Sequence, residues 1–165
     1  MSDKTAPCAP AVPVRIFLVV VDESAELSVA LAYACLRARR CGGRVALLYV
    51  TEPTEFQSWR AVEDLMREER RVEAELTLQR HAKEVNRRTG ILPVLYLREG
   101  ERREELLRLI DEDPSISVLV LAASTGPEGP GPLITYLASA GVNRLRIPLT
   151  IVPGTLTEEQ IAAVS

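Results

Sequence analysis

The 165-residue chain has a single histidine, His81, and three cysteines, Cys8, Cys35 and Cys41, with no C-x-x-C among them. An odd, scattered set excludes a disulfide framework and offers no zinc-ligand spacing, so a reducing cytoplasm is the expected setting. His81 cannot build a metal site alone, and in its polar helical stretch a solvated side chain is expected. A Ser-His-Asp arrangement has no other histidine to use. There is no basic excess either: the formal net charge is −3, where a duplex-binding surface would show a basic balance or stripe. No apolar run reaches the length of a membrane span. The opening "MSDKTAPCAPAVP" has one Lys and lacks the apolar core of a signal peptide. Its Ala and Pro content reads as a flexible tail over residues 1–13. No internal repeat occurs.

What is present is an ordinary globular mixture, 47% apolar and 26% charged, in a length that suits one domain. "VRIFLVVVDES" (14–24) and "RVALLYVTEP" (44–53) are continuous apolar runs rich in β-branched residues. Such runs read as strands buried on both faces, as in a parallel sheet. A third strand is expected around 93–98, a fourth in "SISVLVLAAS", and a fifth, short one in "IPLTIVPG" between two prolines, which suit an edge. Between them lie helical patterns. The first is expected to begin at about Ala25 under a Ser24 cap and to stop at "CGG". A long polar helix over roughly 57–88 has Trp59, Val62, Leu65, Met66, Val72, Leu76 and Val85 as its apolar side. Its charge run "REERRVEAE" reads as a solvated face with i,i+4 pairs. Further helices are expected in "ERREELLRLIDED", near 133–141, and after a Thr155 or Thr157 cap at the end. The order βαβαβαβαβ predicts an α/β fold: a five-stranded parallel sheet covered by helices on both faces, with right-handed crossovers.

Ligands of such sheets sit beyond the carboxyl ends of the strands. That rule singles out Asp22–Ser24, Val50–Pro53, Glu99–Gly100 and the stretch from Ala122 to Pro132. Asp22 is the sharpest residue: a carboxylate there can accept hydrogen bonds from a ligand amine or hydroxyl, or can serve only the helix dipole. The stretch "ASTGPEGPGP" (123–132) stands where a phosphate loop would stand. A phosphate cradle needs consecutive inward N–H groups. Pro127, Pro130 and Pro132 have none, and Glu128 adds negative charge. No Lys or Arg occurs between Arg108 and Arg144, and there is no Gly-Lys-Ser/Thr ending of a Walker A loop. Ser124, Thr125, Gly126 and Gly129 remain as candidate ligand contacts; the bland alternative is a proline-stiffened connector. Cys35 reads as core packing, Cys41 as unactivated, and no acid/base pair is evident. Catalysis is therefore not expected.

The segments "FLVVVDES", "ALLYVTEP", "REGERREELLRLIDED…SISVLVLAAS" and "IPLTIVPG" resemble the universal stress protein family, from about Val14 to Gly154. The resemblance implies a domain over 14–154 with strand order 3-2-1-4-5 in a three-layer, adenine-nucleotide-binding-like sandwich, and leaves 155–165 as a C-terminal helical extension. It implies cytoplasmic homodimers paired through the fifth strand, here Pro148 to Pro153. An apolar edge strand of this kind needs covering in any case. ATP-binding members carry G-x2-G-x9-G-[S/T] after the fourth strand, an Asp after the first and a Val late in the second. Asp22 and Val50 match the latter two. In one frame the glycines fall at Ala122, Thr125 and Thr135, followed by Tyr136. In the other, Gly126 and Gly129 fit but Ser139 and Ala140 replace the closing pair. Both frames break the motif. The site expected from this is Asp22, Ser24, Val50, Ala122, Ser124, Thr125, Gly126 and Gly129. The function expected is a stress-response protein with weak or altered adenine-nucleotide binding. Its ligand is left open among ATP with magnesium, ADP, AMP and none. The alternative is an ATP-binding switch or slow ATPase using Ser124–Gly129. An enzyme on a related fold is disfavoured because no "SGGxDS" segment is present. No nucleic-acid or membrane partner is expected.

Overall fold

The computed structural model describes residues 12–53 and 59–165. Ten elements follow in order: β1 (Ile16–Val20), α1 (Leu27–Cys41), β2 (Arg44–Thr51), α2 (Arg60–Thr89), β3 (Val94–Glu99), α3 (Arg102–Glu112), β4 (Ile116–Ala123), α4 (Pro132–Leu137), β5 (Leu149–Pro153) and α5 (Glu158–Val164), with one 3₁₀ turn at Val142–Arg144. The strands form one sheet in the order β3-β2-β1-β4-β5, and every pairing is parallel. Both the alternation read from the sequence and the strand order implied by the resemblance are therefore observed.

Central β1 is buried along its whole length, as a continuous apolar run requires. Leu18 and Val20 face a core built with Leu106, Ile110, Ile134 and Leu137 of α3 and α4. Phe17 and Val19 face the other side, with Leu31, Ala34, Leu78 and Val85 of α1 and α2. Leu18, Leu47 and Leu48 are wholly enclosed, and each contributes about 2 kcal/mol of apolar burial. Cys35 belongs to this packing, and burial pushes its thiol up to about 11, whereas Cys41 is exposed.

Three helix expectations need correction. Helix α1 begins at Leu27 with Glu26 at its N-cap, not at Ala25 under Ser24. Asp22 is the reason. Its Oδ1 accepts from both Ser24 N–H (2.9 Å) and Ser24 Oγ–H (2.6 Å), a local turn that removes the Ser24 side chain from capping. In α2 the expected apolar side is mostly in solvent. Trp59, just ahead of the helix, and Val62, Leu65, Val72 and Leu76 are exposed, while Ala74, Leu78, Ala82 and Val85 are buried. The cause is length. Thirty residues make a helix about 45 Å long, while the eight residues of β2 span only about 26 Å. Only the C-terminal half of α2 lies over the sheet. The expected start at 57 falls outside the described residues, as do Cys8 and most of the expected tail. Helix α4 is also shorter than expected, ending at Leu137.

The C-terminal segment is fastened by polar contacts. Thr157 and Gln160 form a reciprocal cap for α5, which answers the choice between Thr155 and Thr157. Arg40 donates to the carbonyls of Ala162 and Ser165. Arg88 bridges Glu84 of α2 (2.5 Å) and Glu158 of α5 (2.6 Å). Hydrogen bonds from Arg87, and then Arg88, hold the Glu84 carboxyl down at about 2. A carboxyl whose folded value lies below its unfolded one stabilises the fold above the unfolded value, about 4.3. That contribution is lost as pH falls towards 2. In Glu84→Gln, urea unfolding midpoints are expected to fall less between pH 5 and pH 2.5 than in the parent protein. Equal falls would show that Glu84 carries no part of the acid limb.

Candidate functional site

The strand order reverses between β1 and β4, since β2 flanks β1 on one side and β4 on the other. Helices α1 and α2 cover one face, and α3 and α4 the other. The chain leaves neighbouring strand ends in opposite directions, and a crevice opens there. A cavity of about 790 Å³ occupies it, with Asp22, Ser24, Ala122, Ser124 and Gly129 in its walls. A smaller recess of about 100 Å³ adjoins it and shares Asp22, Ser24 and Ala122. Five of the eight sequence-predicted site residues therefore meet at one place.

Asp22 is half-buried. Its Oδ1 is occupied by Ser24; among the described residues no donor reaches Oδ2. One carboxylate oxygen of a residue that lines the crevice thus keeps its acceptor capacity. Val50 is placed differently. It is buried in the α3/α4-side core, opposite Arg98 in the β2–β3 register, and lines neither cavity.

The loop after β4 is closed on itself. Ser124 N–H donates to Pro130 O (3.0 Å) and Gly126 N–H to Ser124 Oγ (3.2 Å). Thr125 gives both its N–H (3.1 Å) and its hydroxyl (3.2 Å) to Glu26 Oε1. The Thr125 N–H is the main reason the Glu26 carboxyl sits below its ordinary range. Thr125 and Gly126 are therefore near the crevice but not lining it. Gly154 makes this junction possible: a Cβ there would stand 2.3 Å from Ala123 O and 2.6 Å from Glu26 Cγ. Gly131, at φ 110, turns the chain into α4 in a conformation that favours glycine. For a triphosphate the fit is poor. The N–H groups of Ser124, Thr125 and Gly126 are committed, three prolines supply none, and the Glu26 and Glu128 carboxylates stand in the walls.

Two arginines reach the crevice from α3, and the sequence reading missed both. Arg103 lines the larger cavity and Arg102 the recess. Their only sequence signal was a position two and three residues beyond the Glu99–Gly100 strand end already singled out. His81 departs from its expectation too. It is half-buried in a space of about 730 Å³ beside α1 and α2, with Tyr49, Glu73 and Arg80, which meets the crevice at Asp22 and Ser24. Burial, and then Arg80, lower its proton affinity. Among the described residues no cluster of His, Cys, Asp and Glu could hold a metal, and no helix is long and apolar enough to cross a membrane.

The family model described as the universal stress protein family matches residues 13–153. The chain belongs to that family. Solved universal stress proteins share the fold. That of Lactobacillus plantarum is 18% identical with a TM-score of 0.70, over 85% of this chain and 97% of the other. One from Archaeoglobus fulgidus, solved in complex with dAMP, is 18% identical with a TM-score of 0.59, over 86% and 99%. Another, solved in complex with cAMP, is 13% identical with a TM-score of 0.62, over 87% and 100%. No curated protein matches the sequence.

Proposed function

We propose that this universal stress protein is a cytoplasmic, dimeric stress-response protein that binds an adenine mononucleotide in the crevice at Asp22, and is not an ATP-driven switch. The observation that carries this reading is the capture of the Thr125 N–H and hydroxyl by Glu26. A loop whose donors already serve a carboxylate has little to offer a polyphosphate. The crevice itself is roomy enough for a nucleoside. Fold relatives solved with dAMP and cAMP support a ligand with one phosphate. Asp22 Oδ2 would accept from a ribose hydroxyl or a base amine.

The expected outcome in a thermal-shift titration is stabilisation by AMP at millimolar concentration, with a smaller response to ATP and magnesium. Asp22→Arg should abolish the AMP response. Glu128→Lys should raise nucleotide affinity by removing a repelling carboxylate from the wall. No shift with any adenine nucleotide would sink the reading. A response to ATP with magnesium exceeding that to AMP would restore the switch.

For the dimer, the supporting observation is β5 at the sheet edge with Ile151 41% exposed. Edges of this kind invite pairing with a second copy. Light scattering after size exclusion is expected to give twice the chain mass, and Ile151→Lys is expected to give the monomer. A monomeric parent protein would contradict the assignment.

A further inference from the structure

The two walls of the crevice carry opposite charge. On the loop side stand Glu26 and Glu128; on the α3 side stands Arg103. Arg103 donates its Nε to Glu101 (2.9 Å) and lies over the Tyr136 ring, 5.0 Å from its centre. The Tyr136 hydroxyl is itself engaged by Arg144 (3.3 Å), and Arg144 is anchored on Glu104 (2.9 and 3.2 Å). The guanidinium is thus held by a cation–π contact and by one hydrogen bond. Among the described residues its two terminal nitrogens donate to nothing. A planar fork with both ends unused suits bidentate recognition of an oxyanion.

Arg102 adds an independent observation. Its Nε is buried without a hydrogen-bond partner, and the nearest carboxylate, Glu52, is 4.0 Å away. A buried donor in that state is destabilising until something pairs with it. Arg102 borders the recess with Asp22 and Ala122, which also border the larger cavity.

We propose that Arg103, seconded by Arg102, is the anion-binding element of this crevice, and that the α3 wall takes the single phosphate of a nucleoside monophosphate in place of the loop after β4. The assignment rests on the mononucleotide reading above and gives it a chemical reason. Charge placed on the arginine wall is attracted; additional phosphates extending towards Glu26 and Glu128 are repelled.

The test is calorimetric titration of the full chain with AMP, adenosine, ATP with magnesium, and ribose 5-phosphate. The parent protein is expected to bind AMP about tenfold or more tighter than adenosine, the scale of a charge-assisted bidentate contact, and tighter than ATP. Arg103→Gln should erase most of the AMP advantage and leave adenosine affinity unchanged. Arg103→Lys should retain only part of it, having lost the fork, and Arg102→Gln should give a smaller loss. Arg103 is half exposed, so its variants are expected to fold, and an unchanged thermal midpoint checks this. An AMP-to-adenosine ratio that survives both Arg103→Gln and Arg102→Gln overturns the proposal while leaving nucleotide binding intact. If AMP and adenosine fail to bind but ribose 5-phosphate binds and depends on Arg103, the anion site stands and the nucleotide reading falls. If none of these probes binds, both are overturned.

Discussion

The carboxyl end of this sheet is organised by a constraint of topology. Strand β1 has β2 on one side and β4 on the other, so the segments leaving β1 and β4 must turn to opposite faces and cannot cover the gap between them. Two turns meet over that gap, the one after Val20 and the one after Ala123. They are joined by one carboxylate, Glu26, which receives both donors of Thr125. The chain after β5 comes close enough to share the junction only because residue 154 has no side chain to collide with Ala123 and Glu26. The position of the loop and the polarity of its side of the crevice depend on this contact.

The contact also decides which wall can bind charge. A phosphate approaching the loop would compete with Glu26 for the same N–H group and meet a second carboxylate at Glu128. Hydrogen bonds to a phosphate would have to exceed those already made to Glu26, with like-charge repulsion added. The opposite wall has the converse character. Arg103 is oriented by Tyr136 and Glu101 with its outer edge unused, and Arg102 keeps a buried donor unpaired. Asp22 lies between the walls as an acceptor. An anion at one end and hydroxyl or amine donors at the other describe a nucleoside monophosphate better than a triphosphate.

Much of the fold could be read from the chain. Runs such as "IFLVV" and "VALLYV" are apolar on both faces because both faces are covered, and that alone calls for a parallel sheet. Where patterning misled, geometry was the cause. Trp59, Val62 and Leu65 have helical spacing, but spacing does not reveal that α2 outruns the sheet. Ser24 has the chemistry of a cap, but an Asp two residues earlier offered its donors a nearer acceptor. At the site, residue types alone pointed to Asp22 and to the prolines and carboxylate of the loop after β4. Glu26, Arg102 and Arg103 were not, because they come from other segments and only the fold brings them to the crevice. The loop holds no cation, while two stand just across the gap.

Everything proposed for this crevice turns on charge binding at the α3 wall and not in the loop after β4. The most direct measurement is a crystal structure of the full chain grown with AMP. The phosphate is expected within hydrogen-bond distance of the Arg103 guanidinium, the nucleoside against Asp22, and Glu26 still on Thr125. A phosphate seated on the backbone N–H groups of residues 124–129, with Glu26 displaced from Thr125, would contradict the account.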